Sequence, residues 1–135
     1  MRTSPLIALD TNALIHALKG VGRVRERLAA SEPGRIAIPA VVAYEIEYGT
    51  LRSGSPEVRR RELQRLLSVV EILPFHLGAA ERAAKVRWEL ETRGETIGPS
   101  DLMIAGTALA FGCVLVTHNV AEFSRVPGLI IEDWF

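Results

Sequence analysis

Residues 6–18 read LIALDTNALIHAL, an apolar run that breaks off at Asp10-Thr11-Asn12 and resumes at once with helical spacing. Four apolar residues, Leu6–Leu9, followed by polar turn formers and then Ala13, Leu14, Ala17 and Leu18, read as a buried strand leading into a helix. A strand apolar on both faces belongs inside a parallel sheet covered by helices. The rest of the chain repeats the alternation. A helix runs through about Lys19 and another over Val21–Ala30, then Arg35–Pro39 reads as a strand. A helix from Ala40 to about Arg52, the turn Ser53-Gly54-Ser55-Pro56 and an Arg-rich helix over Glu57–Val70 follow. Val70–Leu73 is the third strand, and Leu77–Arg93 a long amphipathic helix stopped by Gly94. The last third supplies a helix over Pro99–Phe111, a strand over Val114–Thr117, a short turn or helix around Ala121 and a strand over Leu129–Ile131. Strands separated by helices pair in parallel, because parallel neighbours need crossover connections. The expected fold is an α/β three-layer sandwich: a central, mostly parallel sheet of about five strands between helices.

At 135 residues the chain is expected to form one domain, residues 1–135, with a core large enough to need neither disulfides nor a structural metal. Hydrophobic residues make up 48% and charged ones 24%, which excludes a disordered chain. Lys plus Arg balances Asp plus Glu at 16 each, so any nucleic acid must be met by a local patch rather than by a global positive field. The one cysteine, Cys113, lies in the apolar run Phe111–Val116 and reads as a structural thiol suited to a reducing compartment. Neither a membrane span nor a signal peptide is legible, so a cytoplasmic protein without membrane partners is expected.

In an open parallel sheet the usable crevice lies at the carboxyl ends of the strands, which is where Asp10 ends its strand. Asn119 follows the strand Val114–Thr117, and Asp101 falls in the first turn of the helix that precedes it, with Pro99 at the first helical position and Gly98 as cap. No charged residue lies between Asp101 and His118, so that helix is expected at the heart of the core. At about 100° per residue, the helical neighbours of Glu45 are Val41, Val42, Tyr48 and Gly49, which places Glu45 on an apolar face. A buried carboxylate needs compensation, and a cation is expected opposite it, Arg87 being one candidate. Each residue also has a plain structural reading: Asp10 and Asn12 as helix caps, Asp101 as a favourable charge at a helix N-terminus, Asn119 as a turn former. Three carboxylates and an amide converging on one edge nonetheless form a set of hard oxygen ligands suited to Mg²⁺ or Mn²⁺.

Four stretches in this order, LDTNALI at 9–15, EIEYG at 45–49, GPSDLMIAGTA at 98–108 and VTHNVAEFSRVPGLIIEDW at 116–134, resemble the PIN-domain ribonucleases, specifically the VapC-type toxins of toxin–antitoxin pairs. The resemblance covers nearly the whole chain. It implies a metal-dependent endoribonuclease that hydrolyses selected RNA, tRNA or ribosomal RNA, to arrest translation and growth. By motif position, Asp10 is the first acid, Glu45 the second and Asp101 the third, all three as Mg²⁺ or Mn²⁺ ligands, with Asn119 as the fourth catalytic position. Many PIN domains carry an aspartate where this chain has Asn119; an amide adds no negative charge, which leaves one metal or two open. His118 and Glu122 are the nearby substitutes and are read as loop residues, while Asn12 and Thr117 are read as groups that hold the carboxylates. The resemblance further implies a homodimer and a small cognate VapB-like antitoxin inserted into the crevice, with DNA reached only through that antitoxin. The helices over 57–70 and 77–93 are candidates for these contacts, and Arg52, Arg59, Arg60, Arg61 and Arg65 for RNA phosphates, although a charge-rich helix also suits plain solvation. The alternative reading is a noncatalytic PIN-fold module that binds nucleic acid or protein. A phosphoacceptor domain would also want an acidic pocket, but no lysine follows Lys85.

Overall fold

The computed structural model describes residues 4–54 and 56–135. Its sheet has five strands: β1 (Ile7–Leu9), β2 (Ile36–Pro39), β3 (Glu71–Leu73), β4 (Val114–Val116) and β5 (Ile130–Glu132). They lie in the order β3-β2-β1-β4-β5, and every ladder is parallel. The central strands β1, β2 and β4 are buried along their whole length, as continuous apolar runs in a helix-covered parallel sheet should be. The edge strands β3 and β5 are largely exposed and carry Glu71 and Glu132.

Helices α1 (Thr11–Lys19) and α2 (Val24–Ala29) connect β1 to β2, and α3 (Ala40–Leu51) and α4 (Pro56–Leu67) connect β2 to β3. Helices α5 (Leu77–Thr92) and α6 (Pro99–Ala110) carry the chain from β3 back across the sheet to β4, and the short α7 (Val120–Phe123) leads to β5. Strand order therefore runs outward one way through β1-β2-β3 and the other way through β4-β5. The reversal falls between β1 and β4, and the crevice beyond their carboxyl ends is the topological switch point of the fold.

Each expected element is present, with trimmed ends. The second helix begins at Val24 rather than Val21, because Gly20 and Gly22 take positive φ and break the helical path. The Arg-rich helix stops at Leu67, the third strand starts at Glu71, and the last strand is Ile130–Glu132 rather than Leu129–Ile131. In the expected turn at 53–56, Ser55 lies outside the described residues. The core is one cluster built on β1, β2 and β4, with Leu14, Val42, Leu63, Leu90, Ile104 and Phe123 brought onto the sheet by the helices. Helix α6 packs on α5 without room to spare: a Cβ at Gly106 would stand 2.6 Å from the Ala79 carbonyl oxygen and 2.7 Å from the Ala83 Cβ. Among the described residues no helix is long and apolar enough to cross a membrane.

Candidate active site

Asp10 is both helix cap and site residue. Its backbone nitrogen extends the β1–β4 ladder by donating to the Val116 carbonyl (3.1 Å), and its Oδ1 caps α1 by accepting from Ala13 N (2.8 Å). The other oxygen, Oδ2, accepts from Thr117 Oγ1 at 2.6 Å. With 5% of its surface exposed, the carboxyl is almost out of water, and burial pushes its pKa above the usual carboxylate value although both hydrogen bonds pull it down. Thr117 therefore holds Asp10, as expected, and its hydroxyl also accepts from the Asn119 backbone N–H (2.9 Å).

Asp101 stands at the third position of α6, after the Gly98 cap and Pro99, and its half-buried carboxylate has no hydrogen-bond or ion-pair partner among the described residues. Burial first, then the negative charges of Glu122, Asp10 and Glu45, push its pKa up to about 6. Asp101 is thus the carboxylate on which three others bear, Asp10 at the start of α1, Glu45 on α3 and Glu122 on α7, and Glu45 bears on Asp10 as well.

Glu45 is on the rim, not on a buried apolar face. Of its helical neighbours Val41 and Val42 are buried, but Tyr48 and Gly49 are exposed, because the far side of α3 turns outward. No cation forms an ion pair with it among the described residues; Thr11 Oγ1 donates to Glu45 Oε1 at 2.6 Å instead, and Arg87 pairs with Glu91 at 2.9 Å on the surface of α5. A half-exposed carboxylate keeps enough solvation for a hydroxyl to suffice. Thr11 was legible only as part of LDTN; its hold on Glu45, 34 residues away, is a tertiary fact. Asn12, by contrast, has an exposed side chain, and its carbonyl oxygen meets His16 Nδ1 at 2.9 Å.

Asn119 is the residue before α7, and its Nδ2 donates to Glu122 Oε2 at 3.1 Å. Glu122 is a half-buried helical residue, not a loop residue, and of the three neighbouring carboxylates it weighs most on Asp101. The amide at 119 thus orients a carboxylate supplied three residues later, and an i, i+3 spacing across a short helix was the available signal. His118 points elsewhere, with Nδ1 at 3.0 Å from Asp133 Oδ2.

Beyond Glu45 a cleft of about 630 Å³ opens between α1, α3 and α4, with Lys19 and Arg59 in its wall; it meets the acids only at Glu45. Of the candidate arginines on α4, Arg59 alone lines this cleft, while Arg60 is tied to Glu47 at 2.8 Å. Among the described residues no group of three or more His, Cys, Asp or Glu side chains is drawn tightly enough together to cage a metal.

The model of the PIN domain family matches residues 7–129. The chain is 38% identical over 127 residues to a tRNA(fMet)-specific endonuclease VapC of Shigella flexneri, covering 93% of this chain and 96% of that protein. It is 37% identical over 130 residues to ribonuclease VapC2 of Rickettsia felis, with the same coverage. Among solved structures, the DNA-bound VapBC of Salmonella typhimurium superposes with a TM-score of 0.90 at 36% identity, over 98% of this chain and 100% of that one. VapBC2 of Rickettsia felis, bound to a DNA fragment from its promoter, superposes with a TM-score of 0.86 at 36% identity, over 96% and 99%. With its parallel sheet, its acids at the switch point and these likenesses over nearly its full length, the chain belongs to the PIN domain family, in its VapC branch.

Proposed function

We propose that this chain is a toxin endoribonuclease that hydrolyses phosphodiester bonds of selected RNA with the help of Mg²⁺ or Mn²⁺, and that a small VapB-like antitoxin neutralises it. The observation that carries the reading is the unpartnered Asp101, pushed up to about 6 beside Glu122, Asp10 and Glu45. A scaffold gains nothing from holding like charges together, whereas a cation among them relieves the repulsion. The absence of a tight cage suits this metal class, since Mg²⁺ keeps waters and takes one or two carboxylates plus substrate phosphate oxygens. Asp10 and Asp101 are the residues that would hold the ion, with Glu45 beside them and Glu122 able to join through its contact with Asn119. When bound, such an ion supplies Lewis-acid polarisation of the scissile phosphate and lowers the pKa of a water.

The chain's own residues account for the remainder. Thr117 and Ala13 fix the Asp10 carboxylate from both oxygens, so its remaining lone pairs point one way. Thr11 fixes Oε1 of Glu45 and leaves the other oxygen to orient an attacking water and accept its proton. Attack by water needs no ribose 2′-hydroxyl, so the products carry 5′-phosphate and 3′-hydroxyl ends. Lys19 and Arg59 lie where phosphates away from the cut bond would pass.

The relatives named for tRNA favour tRNA over ribosomal RNA as the substrate. Solved relatives that are VapBC complexes on DNA support the antitoxin partner, and a chain of zero net charge fits DNA reached through that partner. Exposed Tyr44, Tyr48 and Leu51 form one stripe at helical spacing on α3, a surface suited to a protein partner and to a homodimer. The noncatalytic alternative takes its motive from the missing fourth acid, and the weight of Glu122 on Asp101 speaks against it.

The test is mapping of RNA ends after incubating cellular RNA with the antitoxin-free protein in Mn²⁺ or in EDTA, with Asp10→Ala as control. Discrete cuts with 5′-phosphate ends, present only with metal and lost in the variant, are expected. Cyclic 2′,3′-phosphate ends, or cleavage that persists in EDTA, overturn the mechanism.

A further inference from the structure

The acids account for the bond that is cut but not for what grips the nucleotide beside it. Strand β5 runs parallel to β4, with Val116 opposite Glu132, and Thr117 N donates to the Glu132 carbonyl at 3.0 Å. The segments leaving these strands therefore run side by side along the carboxyl edge: Thr117-His118-Asn119 and Asp133-Trp134-Phe135. Between them and α1, three rings gather. Phe135 lies 4.8 Å from His118, centroid to centroid, with the planes 18° apart, and 4.3 Å from His16 with the planes tilted by 55°.

Phe135 packs against the core from one side, but the cluster it anchors is not buried. The His118 side chain is 66% exposed, and His16 and Phe135 are only half-buried. Each ring is nevertheless fixed in place. His118 Nδ1 meets Asp133 Oδ2 at 3.0 Å, His16 Nδ1 meets the Asn12 carbonyl at 2.9 Å, and Phe135 N donates to Asp133 Oδ1 at 3.0 Å. Beneath them Trp134 is buried, its indole donating to Glu132 at 3.0 Å, with the Arg27 guanidinium 5.0 Å from its ring centroid. Rings ordered before binding lose little entropy on binding. The cluster also borders the chemistry: His118 stands between Thr117, which donates to Asp10, and Asn119, which donates to Glu122. His16 is close enough for its charge to act on Asp10.

We propose that His118, backed by Phe135 and His16, is a base-stacking platform that takes an unpaired nucleobase next to the phosphodiester held over Asp10 and Asp101. One His118 face rests on Phe135, while 66% of the side chain remains exposed for a second ring. A flat imidazole backed by a second ring stacks on any nucleobase, purines best, and asks for a single-stranded or splayed-out substrate. The cleft of Lys19 and Arg59 meets the acids at Glu45 and the platform adjoins Thr117, which holds Asp10, so an RNA strand gripped by both would pass the acids. The inference rests on the nuclease reading, and the experiment separates the two.

A 12-nucleotide single-stranded RNA carrying 2-aminopurine at successive positions is titrated in Mg²⁺ against the full chain with Asp10→Asn, which keeps the RNA intact. Quenching confined to one position is expected. His118→Ala should abolish it and weaken binding about tenfold, the worth of one stacked base, while His118→Tyr should retain both. His118 is exposed, so these variants fold; thermal melting verifies this, and Phe135→Leu, measured with them, should reproduce the loss. In the cleaving protein, His118→Ala should raise KM about tenfold with kcat within about twofold, and His118→Tyr should restore KM. Unchanged quenching and KM in His118→Ala overturn the platform while Asp10-dependent cleavage keeps the nuclease. RNA that is stacked on His118 but never cut overturns the nuclease and keeps the platform. RNA neither bound nor cut overturns both.

Discussion

At the scale of single residues the site is a problem of charge. Asp101 takes up its proton at about pH 6 in the folded chain and near the ordinary carboxylate value when unfolded. Between about pH 4 and 6 the folded state therefore binds more protons, and stability falls as pH rises through that window. The raised pKa of Asp10 acts in the same direction. Melting of the metal-free protein should show this decline, and millimolar Mg²⁺ should flatten it. Asp101→Asn should remove most of the slope and stabilise the metal-free chain at pH 7 by about 1 kcal/mol, after discounting for solvent at a half-exposed group, while abolishing cleavage. A variant that is no more stable at pH 7 than the parent sinks this account. Thr117→Val, nearly isosteric, leaves the buried Asp10 oxygen without its donor. About 1–3 kcal/mol of stability and 10–100-fold in metal affinity or activity should go with it, readable by melting and by Mn²⁺ titration.

At the scale of elements, two contacts separate packing from function. Gly106 sits where α6 crosses α5, and a methyl there meets the Ala79 carbonyl and Ala83. Gly106→Ala would gain about 1 kcal/mol in helix propensity but overpack the crossing by about 1–3 kcal/mol. A net loss of about 1–2 kcal/mol is expected by denaturant melting, because backbone on both sides leaves little room to yield; a stabilised variant would refute it. On α4 the arginines are unequal. Arg59→Glu, in the wall of the cleft, should weaken RNA binding several-fold and reduce its salt dependence by about one phosphate contact. Arg60→Glu should mainly lose the pair with Glu47, a surface contact worth well under 1 kcal/mol. Equal effects on RNA would mean that the whole helix, not the cleft, attracts the phosphates. Elements were the most legible scale in the sequence: period, Gly and Pro placed every strand and α-helix to within a few residues, because those signals are local, although the 3-10 turn Pro33–Arg35 stands where the strand was expected to begin. The exposure of Glu45 is not legible for the same reason, since periodicity defines a stripe but not which part of it another helix will cover.

At the scale of the whole molecule, the exposed stripe Tyr44, Tyr48 and Leu51 on α3 predicts association. Sedimentation over a concentration series should approach twice the 14.8 kDa chain mass, and Leu51→Asp should shift the equilibrium toward single chains if that stripe is the interface. One 14.8 kDa species at every concentration would refute the dimer. The strand order is the other property of this scale. Asp10 and Thr117 are 107 residues apart and meet at 2.6 Å only because α5 and α6 return the chain to the far side of β1.

By itself the sequence determined the alternation of strands and helices, the parallel sheet and the family, and it singled out the carboxylates Asp10, Glu45 and Asp101 with the amide Asn119 as candidates. All are written in residue type, local period and short motifs. Only the tertiary structure decided that Thr11 holds Glu45, that Glu122 accepts from Asn119 and weighs on Asp101, that Arg59 rather than its neighbours lines the cleft, and that His118 stacks on Phe135. The division has one physical reason. Local sequence sets backbone conformation and which residues seek burial, whereas the partner of a polar side chain depends on which remote segment the sheet order brings within about 3 Å, the reach of a hydrogen bond.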